Sequence, residues 1–218
     1  MIGAVIELLR RVADLGGPVV LILIGVSVLT VAVVLYKLWQ FAASGVGRHR
    51  ALSEAVAHWD RGERDRARAA LEGSRSYLRP VVDLAMSGQT DPERLEAEAE
   101  VRFARLESGF RLLDSVAQLS PLLGLFGTVL GMIAAFQALQ AAGTQVDPSI
   151  LAGGIWVALL TTAVGLAVAM PTALILSWFE GRMEAERVLA ETAIHTVLAP
   201  GNAPGAPGPV ASDGRDHG

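Results

Sequence analysis

Residues 121–171 read PLLGLFGTVLGMIAAFQALQAAGTQVDPSILAGGIWVALLTTAVGLAVAMP. Two apolar segments sit either side of a short polar break, and neither segment carries an ionisable group. Glycine, alanine and threonine recur in both at helical spacing. The stretch decides the fold, because segments of this length and polarity are stable as helices in lipid.

The rest of the chain fits the same solvent. Of 218 residues, 52% are hydrophobic, and they are gathered in blocks. Residues 15–36, 115–146 and 148–179 are free of charge over 22, 32 and 32 residues respectively. A helix rises about 1.5 Å per residue, so roughly 20 residues cross a bilayer core. The expected fold is therefore an all-α integral membrane protein with three spans and long cytoplasmic helical extensions. A formal charge of −4 gives no reason to expect nucleic acid. The chain has no cysteine, which removes disulfides and thiolate metal sites.

Outward from the central stretch, residues 115–140 form the second span, 141–149 a periplasmic connection and 150–179 the third span. The first span covers 18–41 and is rich in Val, Ile and Leu. Its few small residues suit lipid contact at the periphery. Tyr36, Lys37 and Trp39 read as an interfacial anchor at its far end. Residues 1–17 place Ile2, Val5, Ile6 and Leu9 on one face, as an interfacial helix would, and Gly16-Gly17-Pro18 separates them from the span. Arg10 and Arg11 precede the first run as in a signal peptide. That run is too long and lacks a small-x-small cleavage site, so it reads as an uncleaved span.

Residues 42–114 carry 12 arginines against 13 acids and form a cytoplasmic helical region. Short helices are expected at 51–60, 63–72 and 80–86. His49 and His58 show no carboxylate or thiol companion pattern, so no metal or cofactor is expected. Asp91-Pro92-Glu93 is a helix start. Phe103, Leu106, Phe110, Leu113 and Ala117 then form a seam that runs into the second span. The expectation is one helix from Pro92 to about Leu139, with a seam in need of partner helices. Residues 180–199 read as a cytoplasmic helix, and the Pro/Gly/Ala-rich residues 200–218 as a disordered tail. Arg and Lys flank the cytoplasmic ends of the spans and are missing from 141–149. The positive-inside rule then puts the N-terminus and the second connection outside and the C-terminus in the cytoplasm.

Within the spans, Gly124, Gly127, Gly131, Gly154 and Gly165 read as helix-packing positions, since small residues let backbones approach in lipid. Thr128, Thr161 and Thr162 share the same faces. Pro121 and Pro171 each remove a backbone donor and are candidate kinks at matched depth. No nucleophile–base pair, metal cluster or phosphate loop is present, so an enzyme is not expected.

GLFGTVLGMIAAF (124–136) and ALLTTAVGLAVAMP (158–171) resemble the two motif segments of the MotA/TolQ/ExbB proton-channel family. The resemblance is closest to its three-span ExbB/TolQ branch. It implies a ring of copies, typically five, in the bacterial inner membrane. Single-span partners of the ExbD/TolR type would sit inside, each bringing a membrane aspartate. Proton flow would drive work on the envelope through a TonB- or TolA-like protein, for transport or for Tol-type maintenance. Carried over by position, Thr128 and Thr162 face the pore, with Thr161 beside them. Relatives often carry a glutamate where this chain has Val157. The sequence adds its own argument: hydroxyls do not titrate at physiological pH, so a conducted proton needs an acid from another chain. The alternative is a non-conducting scaffold that anchors partners through the long helix and its seam.

Overall fold

The computed structural model describes residues 2–141 and 148–201. Residues 142–147 of the expected 141–149 connection and residues 202–218 of the expected 200–218 tail lie outside the described residues. Every element among the described residues is a helix: α1 (Ile2–Ser44), α2 (Arg50–Asp60), α3 (Arg64–Glu72), α4 (Arg79–Met86), α5 (Pro92–Glu107), α6 (Phe110–Ala141) and α7 (Pro148–Leu198). Three stretches, Gly17–Ser44, Phe110–Ala141 and Leu151–Leu198, are long and apolar enough to cross a membrane. The chain divides into two compact units, 1–39 with 107–182 and 40–106 with 183–218.

The first unit holds the apolar parts of α1, α6 and α7. Its large side chains turn outward: Leu29, Leu122, Leu125, Phe136, Trp156 and Leu174 are all exposed. Water would not tolerate such a surface, and lipid does. Inside, α6 meets α7 through small residues, and Phe110 stacks on Phe179 with centroids 5.6 Å apart. α1 is interrupted at Gly17, whose φ of 68° with ψ of −172° is open to glycine and strained for other residues. The helices continue through Pro121 and Pro171, each of which lies inside its element.

Two expectations change in this unit. Lys37 is not an exposed anchor but 1% exposed, while Tyr36 and Trp39 remain open. Its Nζ donates to Ser108 Oγ at 3.3 Å and lies 5.7 Å from the Phe110 ring centroid. The expected single helix from Pro92 is also two helices, α5 and α6, separated at Ser108-Gly109. Gly109 has φ of 93°, and a β-carbon there would lie 3.3 Å from Lys37 Cε. A glycine costs a helix only about 1 kcal/mol. Here the packed lysine and its bond to Ser108 favour the break.

The second unit is a small helical body made of α2, α3, α4, most of α5 and the last part of α7. Its core gathers Leu52, Ala55, Leu71, Leu78, Val81, Leu95, Phe103 and Ile194, all buried. The expected short helices correspond to α2, α3 and α4. Asp91 Oδ1 accepts from the Glu93 N–H at 3.1 Å, the capping bond its position suggests. Of the seam expected to await partner helices, Phe103 and Leu106 are buried in this unit and Phe110 and Leu113 in the first, while Ala117 is partly exposed.

A candidate channel wall on helices α6 and α7

The antiparallel pair α6 and α7 is built on the small residues. Gly165 faces the Ser120 carbonyl, and a β-carbon on it would come within 2.6 Å of that oxygen. Gly124 lies against the Thr161 and Thr162 backbone, Gly127 against the Thr161 side chain, Gly131 against Ala158, and Gly154 against Ala135. All five glycines thus fall in one continuous seam. With no side chain between them the backbones approach closely, and van der Waals contact replaces the hydrophobic driving force that lipid lacks. Ser120 lies at one end of the seam, and its buried Oγ has no hydrogen-bond partner.

The three threonines occupy different places. Thr161 is 2% exposed and sits inside the seam. Its Oγ1 donates to the Ala158 carbonyl at 2.7 Å and lies 3.2 Å from the Gly124 carbonyl on α6. Thr162 is partly exposed at the seam's edge, with Oγ1 3.4 Å from the same Gly124 carbonyl. Thr128, also partly exposed, donates to the Leu125 carbonyl at 2.6 Å. Each hydroxyl has a backbone acceptor in its own chain, and each retains oxygen lone pairs that can accept from an incoming donor. Val157 is partly buried and adds no charge. The wall can therefore order water or receive a hydrogen bond, but holds no group that exchanges a proton near neutral pH.

Residues 58–192 match the MotA/TolQ/ExbB proton channel family. The chain belongs to that family. Among its relatives, the biopolymer transport protein exbB1 of Vibrio cholerae is 48% identical over 67 residues, covering 31% of this chain and 29% of the relative. The Tol-Pal system protein TolQ of Pseudomonas aeruginosa is 36% identical over 115 residues, 52% of this chain and 48% of the relative. An ExbB-like biopolymer transport protein of Synechocystis is 28% identical over 178 residues, 75% of this chain and 81% of the relative. The Vibrio and Pseudomonas matches span less than half of those proteins. The glycine and threonine positions of the wall all fall inside the region that matches the MotA/TolQ/ExbB family.

This family member also carries a buried polar cage in its second unit that sequence spacing did not reveal. Glu186 on α7 is 2% exposed. One carboxylate oxygen accepts from the Gly47 N–H at 2.9 Å, and the other from the Tyr77 hydroxyl at 2.8 Å. His49 Nε2 lies 2.5 Å from that second oxygen, and its Nδ1 meets Ser76 Oγ at 2.9 Å. Burial alone would raise the Glu186 carboxyl; the bonds from His49 and Tyr77, with that from Gly47, outweigh it and hold the group below its usual range. His49 and His58 thus each have a carboxylate partner, since His58 Nδ1 lies 2.5 Å from Glu63. The His49 partner is 137 positions away along the chain, beyond any motif window. Ser76 is itself buried, so this Ser–His–Glu chain offers no nucleophile to a substrate. It ties the segment before α2 and the segment before α4 to α7.

Proposed function

We propose that this chain is the proton-channel subunit of an ExbB/TolQ-like inner-membrane complex that converts proton-motive force into mechanical work on the envelope. The observation that carries the reading is the α6/α7 wall: two helices in glycine-to-backbone contact, with hydroxyls at the edge and no titratable group along either apolar run. A wall of that kind needs a guest that brings the acid. The guest in this reading is a single-span ExbD/TolR-like subunit with a membrane aspartate, and a TonB- or TolA-like protein receives the work. Copies of the chain form a ring, five in the typical family arrangement, with the N-terminus periplasmic and the C-terminus cytoplasmic.

Within this proposal the threonines divide. Thr128 and Thr162 meet the pore, and Thr161 holds the seam behind them while sharing the Gly124 carbonyl with Thr162. Pro121 and Pro171 lie on the cytoplasmic side and shape the vestibule, because each deprives the carbonyl four residues earlier of its usual donor. The scaffold alternative is weaker. It requires a free seam at Phe103, Leu106 and Phe110, and these side chains are buried within the chain.

Replacing Thr128 or Thr162 with valine keeps the shape and removes the hydroxyl. The expected result is a normally assembled complex that no longer supports proton-motive-force-dependent function in cells lacking the native copy. Full function in both variants overturns the assignment of these residues.

A further inference from the structure

In the second unit, α7 ends beside the end of α2 and is tied to it there. Pro200 stops the helix, since the residue before a proline is kept out of the helical region. Trp59 Nε1 donates to the Val197 carbonyl at 3.0 Å, and the Gly201 N–H donates to Asp60 Oδ1 at 2.7 Å. Residues 202–218 therefore leave from a fixed point next to Asp60. Asp60 also lines an apolar groove of about 520 Å³ between α2 and the last part of α7, together with Leu52, Val56, Val188, Leu189, Ala193 and Thr196. Val188 is 55% exposed, and Leu52 and Val56 are buried beneath the opening.

We propose that Pro204–Val210, reading PGAPGPV, folds back along this groove of its own chain, antiparallel to α7, with Val210 over Val188 and Ala206 over Thr196. Three observations select this segment as the occupant. The first is where it starts: Asp60, which holds Gly201, is part of the groove wall. A short tether gives an effective concentration on the order of millimolar, so a contact too weak to recruit a free partner is still populated. The second is length. Val188 and Thr196 are eight helical residues apart, about 12 Å. Ala206 and Val210 are four residues apart, also about 12 Å in the extended polyproline form. Residues 202–205 are left to reverse the chain beside Thr196, with Gly205 among them. The third is chemistry. Residues 202–211 carry no charge, and Pro204, Pro207 and Pro209 hold the extended form at low entropic cost. Val210 brings a branched apolar side chain to a groove walled by valine and leucine. By itself such a composition buries too little apolar surface to fix a conformation, and the groove supplies that surface. The contact does not depend on the channel reading. Docked, the segment covers an apolar face of the second unit, and another protein reaches that face only by displacing it.

The test uses the full-length chain, which has no cysteine to replace. Two direct pairs are made, Val210→Cys with Val188→Cys and Ala206→Cys with Thr196→Cys. Two crossed pairs, Val210→Cys with Thr196→Cys and Ala206→Cys with Val188→Cys, complete the set. All four are oxidised under the same conditions. A disulfide needs Cα atoms within about 7 Å, so its rate reads the register. The direct pairs are expected to form a disulfide within one chain at least about tenfold faster than the crossed pairs. Adding Val210→Asp to the Ala206→Cys, Thr196→Cys protein should slow its disulfide about tenfold, because the apolar anchor is lost. A segment that is only tethered would keep its rate, since the linker between positions 196 and 206 is unchanged. Equal rates in direct and crossed pairs overturn the proposal, as does an unchanged rate with Val210→Asp. So does a predominance of disulfides between two copies, separated by mass spectrometry, which would give the groove to another chain.

Discussion

Thr161 of α7 lies directly over Gly127 of α6: a β-carbon added to Gly127 would come within 2.7 Å of both Cβ and Oγ1 of the threonine. The contact fixes how closely the two helices approach. It also explains why a threonine sits buried in a seam otherwise made of glycine and alanine: its methyl and hydroxyl fill the space that Gly127 leaves. Overpacking a close contact costs about 1–3 kcal/mol, and Gly127→Ala is expected to destabilise the chain by that order. Thr161→Ala removes part of the obstruction, so the double variant should lose less than the sum of the singles, by about 0.5–3 kcal/mol. Thermal or denaturant unfolding of the four proteins in one detergent measures that coupling, and strict additivity contradicts the contact.

The glycines of α7 are not equivalent. At Gly165 a β-carbon would meet the Ser120 carbonyl at 2.6 Å and Gly124 Cα at 3.2 Å, both backbone atoms that cannot rotate away. At Gly181 it would meet nothing within 4 Å. Gly165→Ala should therefore force α6 and α7 apart and lower stability by about 1–3 kcal/mol. Gly181→Ala should raise stability by about 0.5–1 kcal/mol through helix propensity alone. Equal effects of the two substitutions would count against the seam.

The cage around Glu186 predicts a pH profile. Its carboxyl is held below the value it has in the unfolded chain, so the cage contributes fully above the unfolded value, near ~4.3 for a free glutamate. That contribution is lost as pH falls through the lower, folded value. The expected midpoint of unfolding is insensitive to this group from neutral pH down to about 5 and falls below it. Glu186→Gln should be less stable at neutral pH by about 1.5–3 kcal/mol, the range for losing a hydrogen bond to a charged group. The gap between the two proteins should close as the solution is acidified. Tyr77→Phe should cost about 1.5–3 kcal/mol, the range for a hydrogen bond to a charged group. A gap that stays constant to low pH contradicts an ionised Glu186.

Three apolar helices and the small-residue stripes were legible in the sequence, because length, absence of charge and 3.6-residue spacing are local properties of a helix. Gly127 and Gly165 could be recognised as packing positions for the same reason. Their partners could not, since a stripe does not say that Thr161 rather than Thr162 lies inside the seam. Neighbouring residues on a helix differ by about 100° in direction, enough to put one hydroxyl at 2% exposure and leave the next partly exposed. The break at Gly109 was illegible because it depends on Lys37, 72 positions away, packing at that point. The Glu186 cage escaped notice for the same reason: His49, Tyr77 and Glu186 come from three separate segments. Long-range tertiary contacts decided each of these cases.

In the proposed channel this chain supplies a hydroxyl-edged wall, and the titrating group comes from a partner. The most direct measurement is proton flux into liposomes under an imposed proton-motive force, with the chain reconstituted alone and together with the proposed single-span subunit. The chain alone is expected to give flux no greater than protein-free liposomes, and the complex a flux that Thr162→Val abolishes. Flux through the chain alone at the rate of the complex would contradict the account.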